Sequence, residues 1–232
     1  MGERNEYHDP KNNSTSYPSR HWRTGKLIEL LKKETGANRK TLLNIGAGKF
    51  TDKPFLESNG FFAIGTDIDY NENIDIICKA EELPFKDNSI DVVTMLSVLE
   101  HVDNPFYVFS EIERVLKPGG CLINSSAFLE PYHSFSKFHV SHHGLEYLCD
   151  SNNLRIEYLG PGWDGITAFF VSFIPGFRKI KFISLILFKS IIMMRSKLFQ
   201  LKYRTNTAKR TNLLSVDTMK YSGSIILKCR KQ

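Results

Sequence analysis

The chain has 232 residues, 41% of them hydrophobic, enough for one domain with a sizeable core and outside the composition of disordered or fibrous chains. Its four cysteines, Cys78, Cys121, Cys149 and Cys229, form no Cys-x-x-Cys pair; this excludes a zinc-ribbon spacing or a disulfide framework and reads as reduced thiols in a cytosolic protein. The net charge of +6 hides an asymmetry, because from Arg178 onward fourteen Lys and Arg face one acid, Asp217, which calls for an anionic partner such as lipid, nucleic acid or a phosphorylated substrate.

Residues 1–20 are polar, hold no apolar core of signal-peptide length, and carry Glu6 where a myristoylation signal needs Ser or Thr, so they read as a flexible tail. Residues 21–232 then read as a single domain. "HWRTGKLIELLKKETG" sets Leu27, Leu30 and Leu31 at helical spacing and ends on Gly36. Next come "TLLNIG", a short helix in "KPFLESNG", "FFAIGTDID", "NIDIICKA", "IDVVTML", a helix in "PFYVFSEIERVLK", and "CLINSSAF". Strands rich in Ile, Val and Phe that alternate with helices predict a doubly wound α/β fold around a mostly parallel sheet. Ser141 is placed to cap a helix in "HHGLEYLCDSNN"; "LRIEYLG" and the final "YSGSIILKCRK" are further strands, with an apolar and basic helical insertion at about 163–215 between them.

Gly46 and Gly48 in "TLLNIGAGKF" follow the first strand, where a glycine turn lets ligand atoms approach backbone N–H groups. Gly-x-Gly alone also fits an ordinary tight turn. About twenty residues on, Asp67 ends the second strand, where a carboxylate can accept both hydroxyls of a ribose or can simply terminate the strand. Phe50 and Thr51 stand where the dinucleotide fingerprint has its third glycine, and there is no Gly-Lys-Ser/Thr triplet, so a pyrophosphate ligand is disfavoured. A ligand with a ribose and no phosphate remains.

"LLNIGAG", "IGTDID", "AEELPFKDNSIDVV", "VLEHVDNP" and "EIERVLKPGG", in this order over about Leu42 to Phe128, resemble the class I S-adenosylmethionine (SAM)-dependent methyltransferases of the type 11-like group. The resemblance implies their Rossmann-like seven-stranded fold and SAM as cofactor. It sets Gly46, Ala47 and Gly48 against the methionine end, Asp67 on the ribose, Ile68 on the adenine face, Ala80 and Glu81 at the adenine edge, and Leu96 beside the transferred methyl. Two positions depart from the family: Asn44 stands where an acid is common before the glycine turn, and Lys79 where many members carry an Asp that binds the adenine amino group. Lysine cannot accept that hydrogen bond, so Glu81, Glu82 or a backbone carbonyl must substitute, or binding is weak.

Methyl transfer to a hydroxyl needs alignment and a base, and His101 in "LEHV" is the nearest candidate, with backbone hydrogen bonding as its bland alternative. In "EPYHSFSKFHVSHHG", His133 and His139 are candidates for the substrate side; adjacent His142 and His143 cannot share a helix face and no acid lies between His133 and His143, so no metal is expected. The segment resembles, more loosely, methyltransferases associated with surface-polysaccharide and glycosyltransferase pathways, which implies O-methylation of a small-molecule or glycan acceptor. Alternatives are a lipophilic acceptor such as a quinone precursor, and a SAM-binding interaction module without catalysis. Nucleic acid is disfavoured by the lack of a base-flipping motif. Within 178–204, Arg178, Lys181, Lys189 and Arg195 form one stripe on an otherwise apolar helix, which reads either as peripheral contact with the cytoplasmic face of an anionic membrane or as a helix packed on the sheet or a homodimer partner.

Overall fold

Helix α1 (Gly25–Lys32) buries Leu27, Leu30 and Leu31 on one stripe, while Lys26, Glu29 and Lys33 pair on its solvent side. The computed structural model describes residues 25–130, 135–162 and 222–232. The tail at 1–20, His133 and the 163–215 insertion with its basic stripe lie outside the described residues. Strand β1 (Lys40–Ile45) runs into the glycine turn, followed by α2 (Lys53–Ser58), β2 (Phe61–Asp67), β3 (Ile76–Ile77) and β4 (Ile90–Leu96). Helix α3 (Pro105–Val115) is fixed at its start by Pro105 and by the Asn104 side chain, which accepts the Phe106 N–H at 3.0 Å. It leads directly into β5 (Leu116–Ala127). Helix α4 (His142–Asp150), capped by Ser141 Oγ accepting from Gly144 N, precedes β6 (Leu154–Pro161) and β7 (Ser224–Lys231).

The seven strands form one sheet in the order β3-β2-β1-β4-β5-β7-β6, parallel except for β7, which runs antiparallel to both neighbours. Strand alternation sends Leu42, Val92, Leu96, Cys121, Ile123 and Ile226 to the face covered by α1 and α2. The opposite parity sends Leu43, Val93, Met95, Leu122, Leu227 and Cys229 under α3 and α4. Both faces are apolar and covered, the condition that allows a parallel sheet. The doubly wound, seven-stranded expectation therefore holds.

Two boundaries differ from the sequence reading. The run "NIDIICKA" yields only a two-residue strand; just before it, the Asp75 carboxylate accepts the Gly65 N–H (2.8 Å) and pairs with Lys53, while the Asp75 N–H donates to the Gly65 carbonyl (3.1 Å). Helix α3 stops at Val115 rather than Lys117, since Pro118 disfavours a helical conformation in the residue before it. The "KPGG" segment then forms an irregularity in β5: Leu116 pairs with Ile90, and regular register resumes with Cys121 opposite Val92. Gly120 is required there, since a Cβ would lie 2.9 Å from the Lys117 carbonyl and 3.0 Å from that of Asp91.

Under α1, Glu34 meets two cations of β7. Its carboxylate pairs with Lys228 and with Arg230 (2.7 Å), and Glu157 of β6 pairs with both cations. Burial alone would raise the Glu34 carboxyl; the Arg230 and Lys228 hydrogen bonds overcome this and hold it down at about 2. This network locks the last strand to the first helix, and Lys228 is enclosed to 4% exposure only because both its acids are present.

Candidate active site

Chain order in the sheet reverses between β1 and β4, and ligands of open α/β sheets bind beyond the carboxyl ends of the strands at such a switch point. A crevice of about 310 Å³ opens there, reached by residues from the ends of β1, β2, β3 and β4. Gly46 has φ +65°, and a Cβ on it would lie 2.2 Å from Val98 Cγ2, so only glycine lets β1 close against the turn after β4.

The N–H groups of this turn are not turned toward the crevice as the sequence suggested. The Ala47 N–H bonds the Thr66 carbonyl (2.9 Å), and the Gly48 N–H bonds Asp67 Oδ2 (2.8 Å). Their task is to position Asp67, whose other oxygen accepts the Asp69 N–H (3.1 Å). Each carboxylate oxygen thus holds one backbone donor and keeps acceptor capacity for a ligand. Ile68, 67% exposed, stands beside it as an apolar platform in the crevice wall.

Across the crevice, Ala80 and Glu81 line the wall, but one Glu81 oxygen is already used, accepting the N–H groups of Asp103 (2.7 Å) and Asn104 (3.2 Å). Leu96 is packed in the α1-side cluster; Ser97 and Val98 instead form the wall at the end of β4, because the last side chain of that strand points to the other face. His101 lines the crevice within a turn closed by its own N–H to the Val98 carbonyl (2.8 Å). His139 does not line it: its Nδ1 lies 3.1 Å from the Phe128 carbonyl, pinning the segment after β5. Asn44 is buried below the crevice and accepts from Thr94 Oγ1 at 3.1 Å, so an uncharged amide replaces an acid in an enclosed position.

Sequence reasoning missed Lys137 and Asp103, which also line the crevice. The Glu100 carbonyl accepts the N–H groups of Lys137 and Phe138, which brings Lys137 to the rim. The loop that carries Ala80 and Glu81 is held from below by Arg114, which donates to the carbonyls of Leu83 (2.9 Å) and Phe85 (2.8 Å) and to Asp87 and Glu111. Glu111 in turn accepts the Leu83 N–H (2.8 Å). "ELPFKDNS" and "EIERVLKPGG" are therefore two halves of one clamp.

SAM, the cofactor the fold implies, fits these groups. The crevice wall carries four carboxylates, Asp67, Asp69, Glu81 and Asp103, against two lysines, Lys79 and Lys137, an excess that opposes a pyrophosphate and suits a sulfonium cation. Among the described residues, no three His, Cys, Asp or Glu are grouped to hold a metal, and no helix is long and apolar enough to cross a membrane.

Residues 43–124 match the family described as "Methyltransferase domain". An uncharacterized protein of Methanocaldococcus jannaschii is 38% identical over 104 residues, covering 41% of this chain and 48% of that protein. The ubiquinone/menaquinone biosynthesis C-methyltransferase UbiE of Desulfotalea psychrophila is 38% identical over 76 residues, covering 33% of this chain and 28% of its own length. The similarity thus spans about half or less of the length of these relatives. Among solved structures, a sarcosine dimethylglycine methyltransferase from Galdieria sulphuraria superposes with a TM-score of 0.61 at 16% identity, covering 90% of this chain and 85% of that one, a likeness of fold. The matched residues run from β1 into β5, so the similarity to the methyltransferase domain family falls on the part of the sheet that builds the crevice.

Proposed function

We propose that the chain transfers the SAM methyl group to a hydroxyl of a small-molecule or glycan acceptor. The observation that carries the SAM site is Asp67, fixed by one backbone N–H on each oxygen at the crevice rim and ready to accept ribose hydroxyls. When bound, SAM supplies an electrophilic sulfonium methyl. The chain's share is alignment: the glycine turn and Val98 would bound the methionine end, Ile68 and Ala80 the adenine, and Glu81 would stabilise the loop at the adenine edge. In-line displacement needs little else unless the acceptor must lose a proton. We assign that proton to His101, which lines the crevice wall.

The glycan reading rests on the loose similarity of the segment from about Glu130 to Trp163 to polysaccharide-associated methyltransferases, with acceptors entering past residues 135–140. A second reading, C-methylation of a lipophilic quinone precursor, is favoured by the 38% identity to UbiE. Calorimetry with S-adenosylhomocysteine (SAH) tests the site: Asp67→Ala should weaken binding by at least ~1.5 kcal/mol, the lower figure for a hydrogen bond to a charged group. Transfer of labelled methyl from SAM to lipid-linked glycans or to demethylated quinones, with NMR of the product, separates oxygen from carbon as the acceptor atom. Absence of SAH binding by the wild type at high micromolar ligand would overturn the SAM site and with it methyl transfer.

A further inference from the structure

Position 79 is where a relative of this family would present an acid to the adenine amino group, and Lys79 cannot do so. One oxygen of Glu81 is committed to the backbone before α3, and Glu82 is exposed outside the crevice wall. The carboxylate that stands beside Lys79 belongs to Asp103. Lys79 Nζ lies 3.5 Å from Asp103 Oδ2, Lys137 Nζ bonds Oδ1, and all three residues line the crevice together with Ala80. Its backbone is fixed too, by the Glu81 carboxylate at its N–H. Three segments far apart in sequence converge to hold this one side chain.

With one lysine at each oxygen, an ionised carboxylate that can accept about four hydrogen bonds keeps a position on each. The side chain is 61% exposed, so its lysines do not enclose it. Lys137 first, then Lys79, hold its carboxyl below the usual range, so it accepts and does not donate at neutral pH. We propose that Asp103 accepts the adenine 6-amino protons: the acid has moved from the loop after β3 to the loop before α3, and Lys79 serves as a positioning residue that directs it into the crevice. A plain surface ion pair would leave ligand choice untouched.

The inference rests on the SAM reading and is tested apart from it with two ligands, SAH and the analogue lacking the 6-amino group. Calorimetry should show the wild type binding SAH at least about tenfold tighter than the analogue, the lower bound for a hydrogen bond to a charged group. In Asp103→Ala this ratio should fall to about one through weaker SAH binding, with the analogue unaffected. Lys79→Ala should reduce the ratio only in part. Asp103→Asn, which keeps shape and one acceptor oxygen, should retain part of the preference and guards against a folding defect. Equal loss for both ligands in Asp103→Ala, or no preference in the wild type, overturns the assignment while leaving the SAM site standing; binding of neither ligand by the wild type overturns both.

Discussion

Replacing Gly46 by alanine separates two costs that the structure superimposes at one atom. With φ at +65°, any side chain there sits in the left-handed region, at about 1–2 kcal/mol. The added Cβ would also lie 2.2 Å from Val98 Cγ2 and 3.0 Å from Cγ1, an overlap that forces Val98 to move, at a further ~1–3 kcal/mol. Gly46→Ala alone should therefore destabilise by about 2–5 kcal/mol. Val98→Ala, at a half-buried site, should cost about 1 kcal/mol. In the double variant the overlap with both Val98 methyls is gone and only its Cβ remains close, at 3.2 Å, while the backbone strain stays, so its loss should fall short of the sum of the singles by about 1–3 kcal/mol. Urea unfolding measures this. Calorimetry with SAH gives a second reading, because a displaced Val98 would intrude on the crevice it lines, and trimming it should recover binding lost in Gly46→Ala. Additivity within about 0.5 kcal/mol would refute the contact as the origin of the effect.

Acid should weaken the fold through Glu34: its carboxyl is held at about 2 in the native state against 4.5 ordinarily, so the folded form binds fewer protons there. The stabilisation is complete above pH 4.5 and is lost as the pH falls toward 2; urea midpoints across this window should decline less steeply in Glu34→Gln, and an unchanged slope would exclude Glu34 as the source. Arg114→Ala should cost about 2–3 kcal/mol by freeing the loop at 83–87, and Arg114→Lys should not restore it, since an ammonium cannot reach two carbonyls and two carboxylates in a planar fork. Full rescue by lysine in urea unfolding would contradict the clamp.

The strands that build the crevice were legible because each announces itself locally: "TLLNIG" and "IDVVTML" are apolar runs closed by turn residues, and a glycine pair followed by Asp67 is a spacing carried by one stretch of chain. Where the reading slipped, the deciding contact was distant. At the start of the short β3, a side-chain carboxylate, that of Asp75, takes the N–H of Gly65, ten residues earlier. Leu96 and Ser97 differ by one position and therefore by a whole face of the sheet, a parity that depends on where the strand ends. Asp103 and Lys137 meet across thirty-four residues with no periodic signal to join them. The Ala47 and Gly48 N–H groups are likewise turned away from the crevice by β2 and not by the glycines themselves.

Because β7 lies between β5 and β6, the order in which the ribosome makes these strands is not the order in which they sit. When residues 154–161 emerge, their slot in the sheet is not yet bounded on its inner side, since among the described strands β6 pairs only with β7. The edge of β5 stays equally open until residues 224–231 have left the exit tunnel. Roughly a quarter of the chain must be translated while two apolar strand edges wait, a period in which such edges can pair with another nascent chain. The antiparallel strand that completes the sheet is thus also a timer. Slowing translation after Pro161 should lengthen the nascent chain's exposure to chaperones, whereas the crevice strands β1, β4 and β5 are already in place to fold on one another.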